Sequence, residues 1–152
     1  MEPVILKKDI VINLNNYIQG MYMGLTSFED FINKSKDSNL KELLIKIYDC
    51  YKNHTEVISN RIIELNGKVE KSQGFIGKIS EFFQDIKNLT INNEIELVKE
   101  VKHSIDTGTK MTETFLEENS SLDDNTRIII DEFIRKNKEF SKELSDFYNK
   151  IS

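Results

Sequence analysis

Across 152 residues this chain carries one proline, Pro3, and six glycines, so its interior holds almost nothing that would interrupt a helix. Four long amphipathic segments fill it, with apolar residues recurring at three- and four-residue spacing. The first runs from about Lys8 to Asp37, with Ile10, Leu14, Tyr17, Met21, Leu25, Phe28 and Ile32 on one face. In the second, Asn39 is placed to cap the helix with Glu42 as its capping-box partner. Its inward face reads Leu40, Leu43, Leu44, Ile47, Tyr51, His54, Ile58, Ile62 and Leu65, and Asn66-Gly67 is a stop signal. The third runs from about Asn92 to Glu118 with Ile95, Val98, Val101, Ile105, Thr112 and Phe115 inward. Leu122-Asp123-Asp124 opens the fourth, whose inner residues are Ile129, Ile130, Phe133, Asn137, Phe140, Leu144 and Phe147.

The links between segments decide the topology. A few residues join helices one and two, and Asn119 to Leu122 join helices three and four, so each pair forms an antiparallel hairpin. Between helices two and three lie roughly 25 residues, far beyond the usual bundle loop. A helix of about 28 residues is ~42 Å long, and a link of that size can run back its full length. The expectation is an all-α, ferritin-like four-helix bundle: one domain over 1–152, two hairpins, and a crossover over 67–91.

That crossover carries its own helical stripe, Phe75, Ile79, Phe82, Phe83 and Ile86. A short amphipathic helix there is expected to cap or flank the main core, burying Phe82 and Ile86. The other reading makes Phe75, Phe82 and Phe83 a surface for a partner.

The same region resembles a bacterial ferritin-like family of unknown function. Glu64-Leu65-Asn66-Gly67-Lys68-Val69 resembles that family's leucine-glycine-glycine helix end, with Asn66 at the first glycine. Ser72-Gln73-Gly74-Phe75-Ile76-Gly77-Lys78-Ile79 matches its Ser/Gly-x-x-Gly turn, and Phe82-Phe83-Gln84-Asp85-Ile86 its aromatic-x-Asp-Leu helix. Order and spacing agree over about Asp49 to Glu117. The resemblance implies a four-helix bundle, sometimes dimeric, with no activity shared across members. Relatives often carry an inward glutamate in a Gly-Glu-Asp step of helix three; here the step is Ser104-Ile105-Asp106. Relatives often carry a histidine in helix four where this chain has Phe140 or a neighbour. Both departures argue against an inherited metal site.

Charge and cysteine content narrow the function classes. A net charge of −5 with no basic block disfavours a nucleic-acid partner. The lone Cys50 cannot form an internal disulfide, and a reducing cytoplasm is the simplest setting, although a disulfide-free exported protein fits the same count. No long uncharged apolar run suggests a membrane span, and Met1 to Lys8 is too short for a signal peptide.

A di-metal carboxylate centre in such a bundle needs a Glu from each of two helices and Glu-x-x-His from each of the other two. At mid-bundle height the inward residues are Met21, Gly24 and Leu25, then Tyr51 and His54, then Ile105 and Gly108, then Phe133 and Asn137. None is a carboxylate, and Tyr51 stands where the Glu of a Glu-x-x-His would be. The one Glu-x-x-His present, Glu100 and His103, turns His103 away from the apolar stripe at 100° per residue. His54 is expected to be a satisfied core histidine within a polar cluster of Tyr51, His54 and Asn137, bonded to Tyr51 or Asn137. Haem would need a roomy pocket and often a second axial ligand, neither of which is evident. Cys50 reads as a half-buried, inert thiol, and no phosphate loop, nucleophile elbow, dinucleotide fingerprint or zinc spacing occurs. Gly20 and Gly24 permit close helix approach, a motif with force in membranes and little in water. The expected protein is therefore a non-enzymatic, metal-free structural or interaction bundle without cofactor or catalytic residue, its partner a protein or a second copy. The alternatives are a degenerate di-iron or single-metal protein with a site near His54, and a ligand-binding bundle using the His54/Tyr51 region as a small polar pocket.

Overall fold

The computed structural model describes residues 4–70 and 90–152. Among them lie four helices and no strand: α1 (Val4–Lys34), α2 (Ser38–Glu64), α3 (Glu94–Glu118) and α4 (Asp124–Ile151). α1 packs closely along α2 and α3 along α4, while α1 meets α3 and α2 meets α4 more lightly. Ser35 and Lys36, just past α1, donate to the Glu94 carboxylate at the start of α3. At the other end, Arg61 near the close of α2 reaches Asp123 ahead of α4. The end of α2 and the start of α3 thus lie at opposite ends of the bundle, as two hairpins joined by one crossover require. This is the ferritin-like, all-α arrangement expected from the link lengths. The stripe of Phe75, Ile79, Phe82, Phe83 and Ile86 lies outside the described residues. No helix among those described is long and apolar enough to cross a membrane.

The helix ends are held by side chains and special backbone. Asp37, Asn93 and Asp123 each accept a hydrogen bond from the N–H three residues on, at 2.9, 2.9 and 3.1 Å. The cap of α2 is thus Asp37, and the capping box of Asn39 with Glu42 gives way to it. A carboxylate is a stronger acceptor at the positive end of a helix than an amide, so the helix starts at Ser38 and Asn39 falls inside its first turn. At the far end of α2, Asn66 takes the left-handed conformation at φ 63°. Its N–H donates to Ile63 and that of Gly67 to Ile62, both at 2.9 Å, which is a Schellman closure. Gly67 is needed for a different reason: a Cβ there would lie 2.5 Å from Val11 Cγ1 of α1. Just beyond, the Asn15 amide donates to the Lys68 carbonyl and accepts from the Glu70 N–H, and Gln19 donates to the Glu70 carbonyl. The first residues of the crossover are thereby pinned along α1.

The core has two apolar halves. One gathers Phe28, Phe31, Leu40, Leu44, Ile47, Val98, Val101, Phe140 and Leu144; the other gathers Ile10, Leu14, Ile18, Ile58, Ile62, Leu122, Ile130 and Ile134. Ile18 and Phe31 are fully buried although the seven-residue stripe read on α1 omits them. α1 contacts both α2 and α3, so its apolar arc is wider than one line of residues. Ile95, expected inward, is exposed in the first turn of α3, and Leu97 is buried in its stead.

Candidate functional site

Between the two halves of the core sits a layer of aromatic and polar side chains. α1 supplies Tyr17 and Met21, α2 supplies Tyr51 and His54, α3 supplies Thr112 and Phe115, and α4 supplies Phe133 and Asn137. His54, Tyr51 and Asn137 are buried at 6%, 6% and 0% exposure. His54 lies flat on Phe133, with ring centroids 3.9 Å apart and planes 4° from parallel. Tyr51 meets Phe133 edge-on at 4.9 Å, and Phe28 packs on its other side at 5.1 Å.

The hydrogen-bond partner of His54 is neither Tyr51 nor Asn137 but Tyr17, whose hydroxyl lies 2.7 Å from His54 Nε2. The imidazole, stacked on Phe133 of α4, presents Nε2 to the Tyr17 hydroxyl of α1. Tyr17 reads in sequence as one more apolar position on the inward stripe of α1. Its signal was the phenol itself, since an inward tyrosine hydroxyl nearly always finds a partner. Burial, with the positive charge of Lys136 as a smaller contribution, pushes the His54 pKa down to about 3, so the imidazole is neutral at physiological pH. Burial likewise raises the phenols of Tyr17 and Tyr51 well above their ordinary range. The Asn137 amide offsets part of that rise at Tyr51, yet no hydrogen bond closes between them. Both Nδ2 and Oδ1 of Asn137 are buried without a partner.

Beside this layer, between α1 and α3, lies a cavity of about 160 Å³. Its walls include Tyr17, Met21, Phe115 and Phe133, and Asn137 reaches it from α4. Gly20 of α1 and Gly108 of α3 line it, and a Cβ built on either would meet nothing within 4 Å. Gly20 therefore does not bring helices together; it leaves space between them. Gly24, one turn on, faces the Tyr51 ring at ordinary contact distance. The hydroxyls of Ser27, Ser104 and Thr112 in the same wall each donate to a carbonyl one turn earlier on their own helix.

Other candidate groups lie apart from this layer. Among the described residues no three of His, Cys, Asp and Glu come together as a metal-binding group. His103 is exposed on α3 and Glu100 is half-buried. Cys50 is half-buried on α2, and burial raises its thiol pKa, which keeps it protonated and unreactive. Phe75, Phe82 and Phe83, read as a partner surface, fall outside the described residues.

Residues 9–118 match a family model described as a domain of unknown function, DUF2383. Comparison with curated proteins yields no match. Solved structures share the fold, among them two with ferritin-like domains. One is a two-domain protein from Anabaena variabilis containing DJ-1/ThiJ/PfpI-like and ferritin-like domains, with a TM-score of 0.73 and 19% identity over 95% of this chain. The chain spans 37% of that protein's length. The other is a ferritin-like, diiron-carboxylate protein from Bacillus anthracis, with a TM-score of 0.66 and 14% identity over 97% of this chain and 99% of that one.

Proposed function

Since the chain belongs to the DUF2383 family, a domain of unknown function, we propose a role from its mid-bundle chemistry: a non-enzymatic, metal-free structural or interaction protein. One observation carries this reading. In the layer where a diiron-carboxylate bundle needs converging carboxylates, α1 to α4 present Met21, Tyr51, His54, Ile105, Phe133 and Asn137. A pair of ferrous ions brings four positive charges, and burying them needs several anionic oxygens. One neutral imidazole, two protonated phenols and an amide do not fit that group. His54 Nε2, the atom best placed to ligate, is already engaged by the Tyr17 hydroxyl. The reading extends to a bacterial, cytoplasmic protein, supported by the single cysteine, with a protein partner or a second copy as its associate.

The alternative is a degenerate di-iron or single-metal protein with a site near His54, which kinship of fold with the diiron-carboxylate protein of Bacillus anthracis favours. Anaerobic loading with ferrous iron or manganese, desalting and elemental analysis separate the two. The expected result is no stoichiometric metal, and crystals soaked with either ion should show none in the bundle centre. Metal held there by protein ligands from three or more helices would end the metal-free reading.

A further inference from the structure

The cavity between α1 and α3 has one feature that packing alone does not account for. Its wall is apolar and aromatic, yet the Asn137 side chain is fully buried there with donor and acceptor both unpartnered. Buried polar groups are nearly always paired, and each exception calls for a physical reason. The hydroxyl protons of Ser27, Ser104 and Thr112 are already given to carbonyls of their own helices, Tyr17 bonds His54, and no hydrogen bond closes between Asn137 and the nearby Tyr51. The space itself arises from Gly20 and Gly108, where side chains could stand without a clash. Any larger residue at these two places would shrink the void and add helix propensity.

We propose that this cavity is a binding site for a small, neutral, largely apolar molecule with a head group that both donates and accepts a hydrogen bond, such as a primary carboxamide. Size sets the first limit: engineered apolar cavities of roughly 150 Å³ accept benzene, so a single substituted ring fits a void of about 160 Å³. Charge sets the second. No charged side chain lines the cavity, so a carboxylate or ammonium ligand would be desolvated with nothing to compensate it. Asn137 sets the third, since a carboxamide can accept from Nδ2 and donate to Oδ1 at once. A lone water is a poorer complement, because the lining around the amide is largely apolar and one water would leave most of the cavity unfilled. The proposal goes beyond the metal-free reading and does not depend on it, as metal bound elsewhere in the chain would leave this cavity intact.

Benzamide, toluene and benzoate serve as probes, titrated at neutral pH into the full-length protein and followed by amide chemical shifts and calorimetry. Benzamide should bind saturably at the cavity, toluene more weakly, and benzoate at least about tenfold more weakly than benzamide. Asn137→Leu should weaken benzamide about tenfold, the scale of one lost buried hydrogen bond, and leave toluene unchanged. Gly108→Leu should abolish binding of both, and Gly108→Ala, the milder variant, should weaken both while the melting temperature holds or rises. The proposal is overturned if benzamide binds no tighter than toluene, if its binding survives both Gly108 variants, or if no probe binds. A crystal structure with an ordered water on Asn137 that benzamide does not displace would overturn it equally.

Discussion

The buried, neutral His54 should make the protein lose stability in mild acid, and the size of that loss follows from its surroundings. In the folded state burial and Lys136 bring its pKa to about 3, whereas an unfolded histidine titrates near 6.5. The unfolded chain therefore binds a proton between those values that the folded chain refuses. The stabilisation is fully present above pH 6.5, declines as pH falls through the unfolded pKa, and is exhausted below the folded one. Each pH unit separating the two pKa values is worth about 1.4 kcal/mol, which sets a ceiling of about 5 kcal/mol and a loss of about 2 kcal/mol between pH 7.5 and pH 5. His54→Phe keeps the flat stack on Phe133 but strands the Tyr17 hydroxyl, at a cost of about 1–3 kcal/mol. Adding Tyr17→Phe removes the stranded hydroxyl. The double variant should match the wild type at pH 7.5 to within about 1 kcal/mol and exceed it by about 2 kcal/mol at pH 5. Urea unfolding at both pH values measures this, and carboxylates common to both proteins cancel in the difference. If the two proteins lose stability in parallel from pH 7.5 to 5, the imidazole is not held neutral in the fold and the reasoning fails.

Three further substitutions probe the joints of the bundle. Gly67→Ala places a Cβ against Val11 and should destabilise by about 1–3 kcal/mol, with Val11→Ala restoring part of the loss in thermal melts. Asp123→Ala removes the cap of α4 together with its ion pair to Arg61 at 2.7 Å; chemical denaturation should show a loss of about 1–2 kcal/mol, smaller in high salt. Gly20→Ala, whose Cβ enters open space, should raise stability by about 0.5–1 kcal/mol, and an unchanged or lowered melting temperature would show that the cavity wall there is tighter than described.

Much of this protein was legible before any coordinates. Hydrophobic periodicity determined four helices and most of their inward faces, because burying an apolar stripe is a local demand that each segment states by itself. Two short links and one long one determined the two hairpins and their order, since chain length limits which ends can meet. The want of carboxylates at mid-height was likewise readable from spacing alone.

What only the tertiary structure decided are the relations among groups from different helices. Tyr51, His54 and Asn137 are all buried, but His54, stacked on Phe133, bonds to Tyr17 of another helix, and Asn137 is unpaired. Helix rotation and rotamer, which spacing does not encode, make that choice. Asp37 stands as the cap in place of Asn39 because the chain already turns helical at Ser38, where the Asp37 carboxylate accepts from the Leu40 N–H and Asn39 falls inside the first turn. The cavity was invisible for a simpler reason. A glycine in a sequence says only that a side chain is missing, and whether a neighbour fills the gap, as Val11 does at Gly67, or nothing does, as at Gly20 and Gly108, is settled when the helices pack.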